Sequence, residues 1–159
     1  MSATRQVIGL LLWVAVVIAA AAVGSAFTAP AIPAWYAGLR KPSFTPPSWI
    51  FGPVWSALYL MMAAAAWLVW RRGGWAAATA PLVLFLVQLA FNVGWSGLFF
   101  GLRQPGAAFA EIVVLWCLIA ATLAALWRVS PAAGALLAPY LAWVSFAAAL
   151  NFAVWRLNA

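Results

Sequence analysis

Three sets of residues at helical spacing carry the chemistry this sequence can do. Gln88, Asn92, Trp95 and Phe99 fall at i, i+4, i+7 and i+11, which keeps them within about 60° of one another around a helix. Trp55, Tyr59 and Met62 form a second such face, and Tyr140, Trp143, Ala147, Leu150 and Asn151 a third. Tryptophan and tyrosine offer large flat surfaces with one polar handle and little rotamer freedom to lose. The amides among them would be unsatisfied against lipid, so these faces point into the protein, where they bond neighbouring helices or a ligand. A cavity walled in this way suits a planar, apolar molecule with a few polar groups.

Hydrolytic chemistry lacks its residues. The chain has no His and a single acidic residue, Glu111, so it cannot build a Ser-His-Asp triad, a carboxylate pair or a His/Cys/carboxylate metal cluster. Glu111 is an acid inside an apolar stretch and a functional candidate on that ground, but its shallow position favours a structural pair with Arg103. The lone cysteine, Cys117, lies in an apolar run and reads as a small buried hydrophobe.

The elements that must position these faces follow from composition. Of 159 residues, 69% are apolar and 6% charged, against roughly 25% charged in a soluble domain. The chain is therefore expected to be an all-α integral membrane protein. A span takes about 20 apolar residues, and five fit as one domain, over roughly residues 7–27, 51–70, 80–100, 107–127 and 133–155. The first stretch, about 20 residues long, exceeds the usual core of a signal peptide and is expected to stay as a span. Trp13, Trp67, Trp70, Trp75, Trp127 and Trp155 near span ends read as interfacial anchors.

The net charge of +7 comes from cations that flank the spans and does not point to nucleic acid. Five crossings put Arg5, Arg71, Arg72 and Arg128 on one side and Arg40, Lys41, Arg103 and Arg156 on the other. The balance is even, so the basic residues do not orient the protein or say which membrane holds it. Only the connection at 28–50 is long. It carries Pro30, Pro33, Pro42, Pro46 and Pro47 with Trp35, Tyr36, Phe44 and Trp49, a composition that stiffens the open chain and favours folding back over the bundle as a lid. On the third span, Ala90, Gly94, Gly97 and Gly101 form a small-residue stripe opposite the aromatic one. It permits close helix approach, within the bundle or between two protomers.

The string Trp35-Tyr36-x2-Leu39-x-Lys41-Pro42-x3-Pro46-Pro47, followed by Pro53-x-Trp55-x2-Leu58-Tyr59-x2-Met62, resembles the TspO family of translocator proteins, also called peripheral benzodiazepine receptors. Gln88-x3-Asn92-x2-Trp95-x3-Phe99-Phe100 and Pro139-Tyr140-x2-Trp143-x7-Asn151-x3-Trp155-Arg156 agree with it. The resemblance covers about residues 35–158. It implies a five-helix bundle, often a homodimer, whose first loop caps a pocket for protoporphyrin IX, haem and benzodiazepine-site ligands. Trp55, Asn92, Trp143, Ala147 and Asn151, with Pro42 and Trp49 from the loop, would belong to that pocket. In some members the residues matching Trp55 and Trp143 are associated with light-dependent breakdown of protoporphyrin, so a weak oxidative activity is the alternative expectation. Animal members bind sterol through a C-terminal motif with a central tyrosine. Here Leu150 and Arg156 are present but Phe152 takes the tyrosine's place, which weakens the sterol expectation.

No cofactor is expected, with porphyrin as ligand rather than prosthetic group. Its propionates are expected to meet Arg40, Lys41, Arg103 or Arg156. Without His, and with Cys117 read as core, haem iron has no strong axial ligand.

Overall fold

The structure, a computed structural model, describes residues 2–159. Five helices are long and apolar enough to cross a membrane: α1 (Ala3–Ala34), α2 (Phe51–Trp70), α4 (Thr79–Ser96), α5 (Pro105–Val129) and α6 (Pro131–Asn158). A single-turn α3 (Gly74–Ala77) lies between α2 and α4, and α4 runs on through a wider π turn over Gly97–Gly101. No strand occurs among the described residues. The chain is a multi-pass integral membrane protein built as a bundle of five spanning helices.

The helices close into a ring. α1 packs on α2 and α4, α2 on α6, α6 on α5, and α5 on α4. The shared core holds Val17, Leu58, Met62, Leu82, Phe85, Ile112, Leu115, Leu137, Tyr140 and Val144. Lipid-facing residues are equally apolar, as at Ile8, Leu11, Leu60 and Val113. Burial of hydrocarbon therefore gives no net drive inside the bilayer, and shape has to hold the helices together.

Close contacts of small residues with tryptophan supply much of that shape. A Cβ placed on Gly9 of α1 would run into the Trp70 ring of α2, and the neighbouring Trp67 indole donates to the Gln6 carbonyl at 2.9 Å. Gly9→Leu is accordingly expected to destabilise the protein by about 1–3 kcal/mol, the usual cost of overpacking. Gly38→Ala, with no atom within 4 Å of the added carbon, should leave the thermal midpoint unmoved. Heat unfolding of the two variants in nanodiscs checks this.

Several expectations change. α1 continues through Pro30 and Pro33 to Ala34, so the lid connection covers 35–50 rather than 28–50. Each proline withholds one backbone donor and crowds the carbonyl four residues back, but its fixed φ is already helical, and the helix continues through both. Trp13 is not interfacial: it is 7% exposed and meets the edge of Phe85 at 5.6 Å. Cys117 is not core but exposed on the outer face of α5. The pair between Glu111 and Arg103 does not form, and both Glu111 carboxyl oxygens are buried without a hydrogen-bond partner, one of them beside Gly94. At the α2–α3 corner, Gly74 adopts φ +75°, a conformation that costs glycine little.

Candidate functional site: an aromatic cavity under a tethered loop

The halves of α1, α2, α4 and α6 nearest the long loop enclose a cavity of about 460 Å³. Nine expected residues line it: Trp49, Trp55, Tyr59, Asn92, Trp95, Trp143, Ala147, Leu150 and Asn151. Trp55 and Tyr59 tilt against each other at 5.5 Å, and Trp143 touches Phe51 at 6.1 Å and Phe146 at 5.4 Å. Trp95 stacks on Phe99 at 5.2 Å and 25°. The π turn, closed by Leu102 N–H donating to the Gly97 carbonyl at 2.7 Å, brings both Phe99 and Phe100 to the cavity wall. Such wide turns recur at functional sites.

The amides stabilise the walls. Tyr59 Oη donates to Asn92 Oδ1 at 2.7 Å, Asn92 Nδ2 to Tyr140 Oη at 2.9 Å, and Tyr140 Oη to Gln88 Oε1 at 2.9 Å. This chain ties α2, α4 and α6 across the floor. Gln88 and Tyr140 are fully buried and stand behind Asn92 without lining the cavity. Asn151 fixes a side wall, accepting from Trp95 Nε1 at 2.9 Å and donating to the Pro105 carbonyl at 2.8 Å.

The loop over 35–50 folds back on the bundle. Tyr36 is buried between Phe99 and Phe100, and Phe44 meets Phe146 at 6.2 Å. Pro42 does not line the cavity. Its carbonyl accepts both the Thr45 N–H at 3.1 Å and the Thr45 hydroxyl at 2.8 Å, which fixes the turn. The loop is tied to the end of α6, where Asn158 Oδ1 accepts from the Arg40 N–H at 3.0 Å and Asn158 Nδ2 donates to the Arg40 carbonyl at 2.8 Å. Asn158→Ala should release this tie and speed amide hydrogen exchange at Arg40 and its neighbours, while exchange in the middle of α6 stays as it was.

No charged side chain lines the cavity. The ammonium of Lys41 donates to the carbonyls of Tyr36, Ala37 and Leu39 at 2.7, 3.2 and 3.0 Å and sits 4.9 Å over the Tyr36 ring. It serves as the loop's internal cap and not as a receptor for a carboxylate. Arg40, Arg103 and Arg156 lie outside the lining as well. Polar character inside comes from the amides of Asn92 and Asn151 and from hydroxyls, including those of Ser25, Thr28, Ser96 and Tyr36. The Tyr36 hydroxyl is buried without a partner, and burial raises its pKa, which keeps it a neutral O–H donor at physiological pH.

Sequence reasoning missed the whole contribution of α1: Ala21, Gly24, Ser25, Thr28, Ala29 and Ile32 line the cavity. In an alanine-rich helix small residues fall on every face, so no periodic signal marks the one that faces inward. The small stripe on α4 divides. Gly97 and Gly101 receive the Phe27 ring of α1, whereas Ala90 and Gly94 are exposed.

Residues 13–156 match the TspO/MBR family. The "Tryptophan-rich protein TspO" of Chlorobaculum tepidum is 43% identical over 158 residues, 97% of this chain and 98% of that protein. The human "Translocator protein" is 48% identical over 126 residues, 78% of this chain and 75% of the relative. The "Tryptophan-rich sensory protein" of Cereibacter sphaeroides is 40% identical over 124 residues, 78% of this chain and 77% of the relative. With a five-helix membrane bundle, tryptophans converging on one cavity and a match over nearly its whole length, the chain belongs to the TspO/MBR family.

Proposed function

We propose that the protein is a membrane-embedded binding protein for tetrapyrroles such as protoporphyrin IX and haem, and for benzodiazepine-site ligands. It would hold, sense or pass on the ligand, as the names translocator and sensory protein describe for its relatives. The observation that carries this reading is the cavity of about 460 Å³ walled by Trp55, Trp95 and Trp143. Aromatic faces at that size favour a flat conjugated ring, and the Tyr36 hydroxyl supplies an unpartnered donor beside it.

The uncharged lining makes a specific demand. A propionate buried there would lack a counter-charge, at a cost of several kcal/mol, so the carboxylates of a bound porphyrin must reach the loop-side mouth where Trp49 is 72% exposed. Iron finds no His or thiolate in the lining, and burial keeps the Tyr36 hydroxyl a neutral phenol, a poor iron ligand compared with a phenolate. Haem and metal-free protoporphyrin IX are therefore expected to bind within about tenfold of each other, a difference of 1.4 kcal/mol. Equilibrium titration of both into protein in lipid nanodiscs in the dark checks this. Haem binding far tighter than protoporphyrin would reveal an axial ligand and overturn the reading.

A second reading, light-dependent oxidation of the bound porphyrin, is favoured by one observation. Trp55 and Trp143 both line the cavity, and Trp55 touches two further oxidisable rings, Tyr59 at 5.5 Å and Tyr140 at 6.2 Å. Illumination with oxygen would then give a new porphyrin product with the unmodified protein and none with Trp143→Phe. A homodimer is proposed as well, with the exposed Ala90 as the available close-approach position of the small stripe on α4, since Gly94 already faces Glu111; cross-linking in nanodiscs tests it.

A further inference from the structure

A second cavity of about 240 Å³ lies between α1 and α2, lined by Val14, Val17, Ile18, Leu60 and Ala63 together with Ala21, Ser56 and Tyr59. The last three also line the main cavity, so the two spaces adjoin. The groove takes in the central stretch of α1 (Ala3–Ala34) and of α2 (Phe51–Trp70). In a membrane those stretches lie at the depth of the hydrocarbon core, where neither water nor a lipid headgroup is available outside. Ile18 and Leu60 at its rim are 57% and 61% exposed. The opposite, loop-side mouth is held by the Asn158 tie and the Lys41 cap.

We propose that this groove is a lateral doorway, through which an uncharged, membrane-dissolved ligand passes between the bilayer hydrocarbon and the main cavity. The threshold is formed by Ala21, Ser56 and Tyr59. Ala21 is small enough to leave the gap. The Tyr59 hydroxyl is drawn inward onto Asn92, and the Ser56 hydroxyl folds back onto the Gly52 carbonyl at 2.8 Å, so neither polar group obstructs an apolar ligand. Charge decides the ligand class: the groove and the cavity have no charged residue in their linings, and a ligand arriving through hydrocarbon cannot carry a bare carboxylate at modest cost.

The proposal rests on the binding reading above, and the test separates the two. The probe is protoporphyrin IX dimethyl ester, an uncharged porphyrin, mixed with protein in nanodiscs and followed by stopped-flow quenching of tryptophan fluorescence. Ile18→Trp, Leu60→Trp and the double variant add bulk at the rim on already exposed positions, and each is checked for an unchanged melting temperature. Arrival and departure are both expected to slow about tenfold in the double variant while the equilibrium constant stays within about twofold, because the rim is not part of the final site. Asn158→Ala, which loosens the loop, should alter neither rate. Unchanged rates in all three rim variants, or faster arrival with Asn158→Ala alone, would put the route under the loop and overturn the proposal. Absence of saturable binding by the unmodified protein would instead overturn the binding reading, and the doorway with it.

Discussion

Trp143→Ala is expected to weaken protoporphyrin IX binding about tenfold to a hundredfold, the loss of one aromatic stacking surface at about 1–3 kcal/mol. The position matters more than the residue type. Trp143 lines the cavity and is braced by Phe51 and Phe146, so its ring plane is fixed before a ligand arrives and little ordering entropy remains to be lost on binding. Trp143→Phe keeps a flat surface and should lose much less. Trp75→Ala, at an exposed position outside the cavity, should lose nothing. Equilibrium titrations of the three variants in nanodiscs measure the differences, and equal losses at Trp75 and Trp143 would mean the porphyrin is simply partitioning near tryptophans.

The second large effect concerns stability. Tyr140→Phe removes one oxygen that accepts from Asn92 and donates to Gln88, and it leaves two buried amide groups without a partner. Each orphaned group costs about 1–3 kcal/mol in a dry interior, so the variant should unfold at markedly lower temperature or denaturant. The Gln88 Nε2 already has no hydrogen-bond partner, so the substitution would leave that buried amide with none at either end. Tyr59→Phe, at the partly exposed cavity end of the same chain, should cost less, because a bound ligand or water can reach Asn92 Oδ1. If Tyr140→Phe were as stable as the unmodified protein, the network would be a bystander and the floor would be held by packing alone.

These two residues show how much of the site the sequence made legible. Spacing alone grouped Trp55 with Tyr59, Asn92 with Trp95, and Trp143 with Ala147 and Asn151, and the structure lines one cavity with all of them. Helical periodicity reports a direction around an axis and not a depth along it or behind it. Gln88 and Tyr140 share the inward direction but bond to each other across the interior between α4 and α6, fully buried, so they form floor and not wall. Trp13 lay on an apolar helix among apolar residues, and nothing local separated a lipid-facing indole from one seated on Phe85. Cys117 failed in the opposite sense, since a bilayer removes the penalty that would keep a small apolar residue inside. Lys41 was legible as a cation on the loop's side of the membrane. Its partners, three carbonyls within its own loop, follow from a tertiary turn that spacing does not encode.

The end of α1 was obscured for a related reason. Proline at 30 and 33 reads as loop in a sequence, yet the helix runs on to Ala34 and carries Thr28, Ala29 and Ile32 to the cavity. That extension adds a further wall to the three aromatic faces.

A flat tetrapyrrole is proposed to occupy the cavity between Trp55, Trp95 and Trp143. A dark titration of protoporphyrin IX into the protein in nanodiscs, repeated in the presence of a benzodiazepine-site ligand and against protein-free nanodiscs, tests it most directly. Saturation at one porphyrin per chain, displaced by the competitor, is expected. A signal that rises without limit, matches the protein-free discs and ignores the competitor would contradict it.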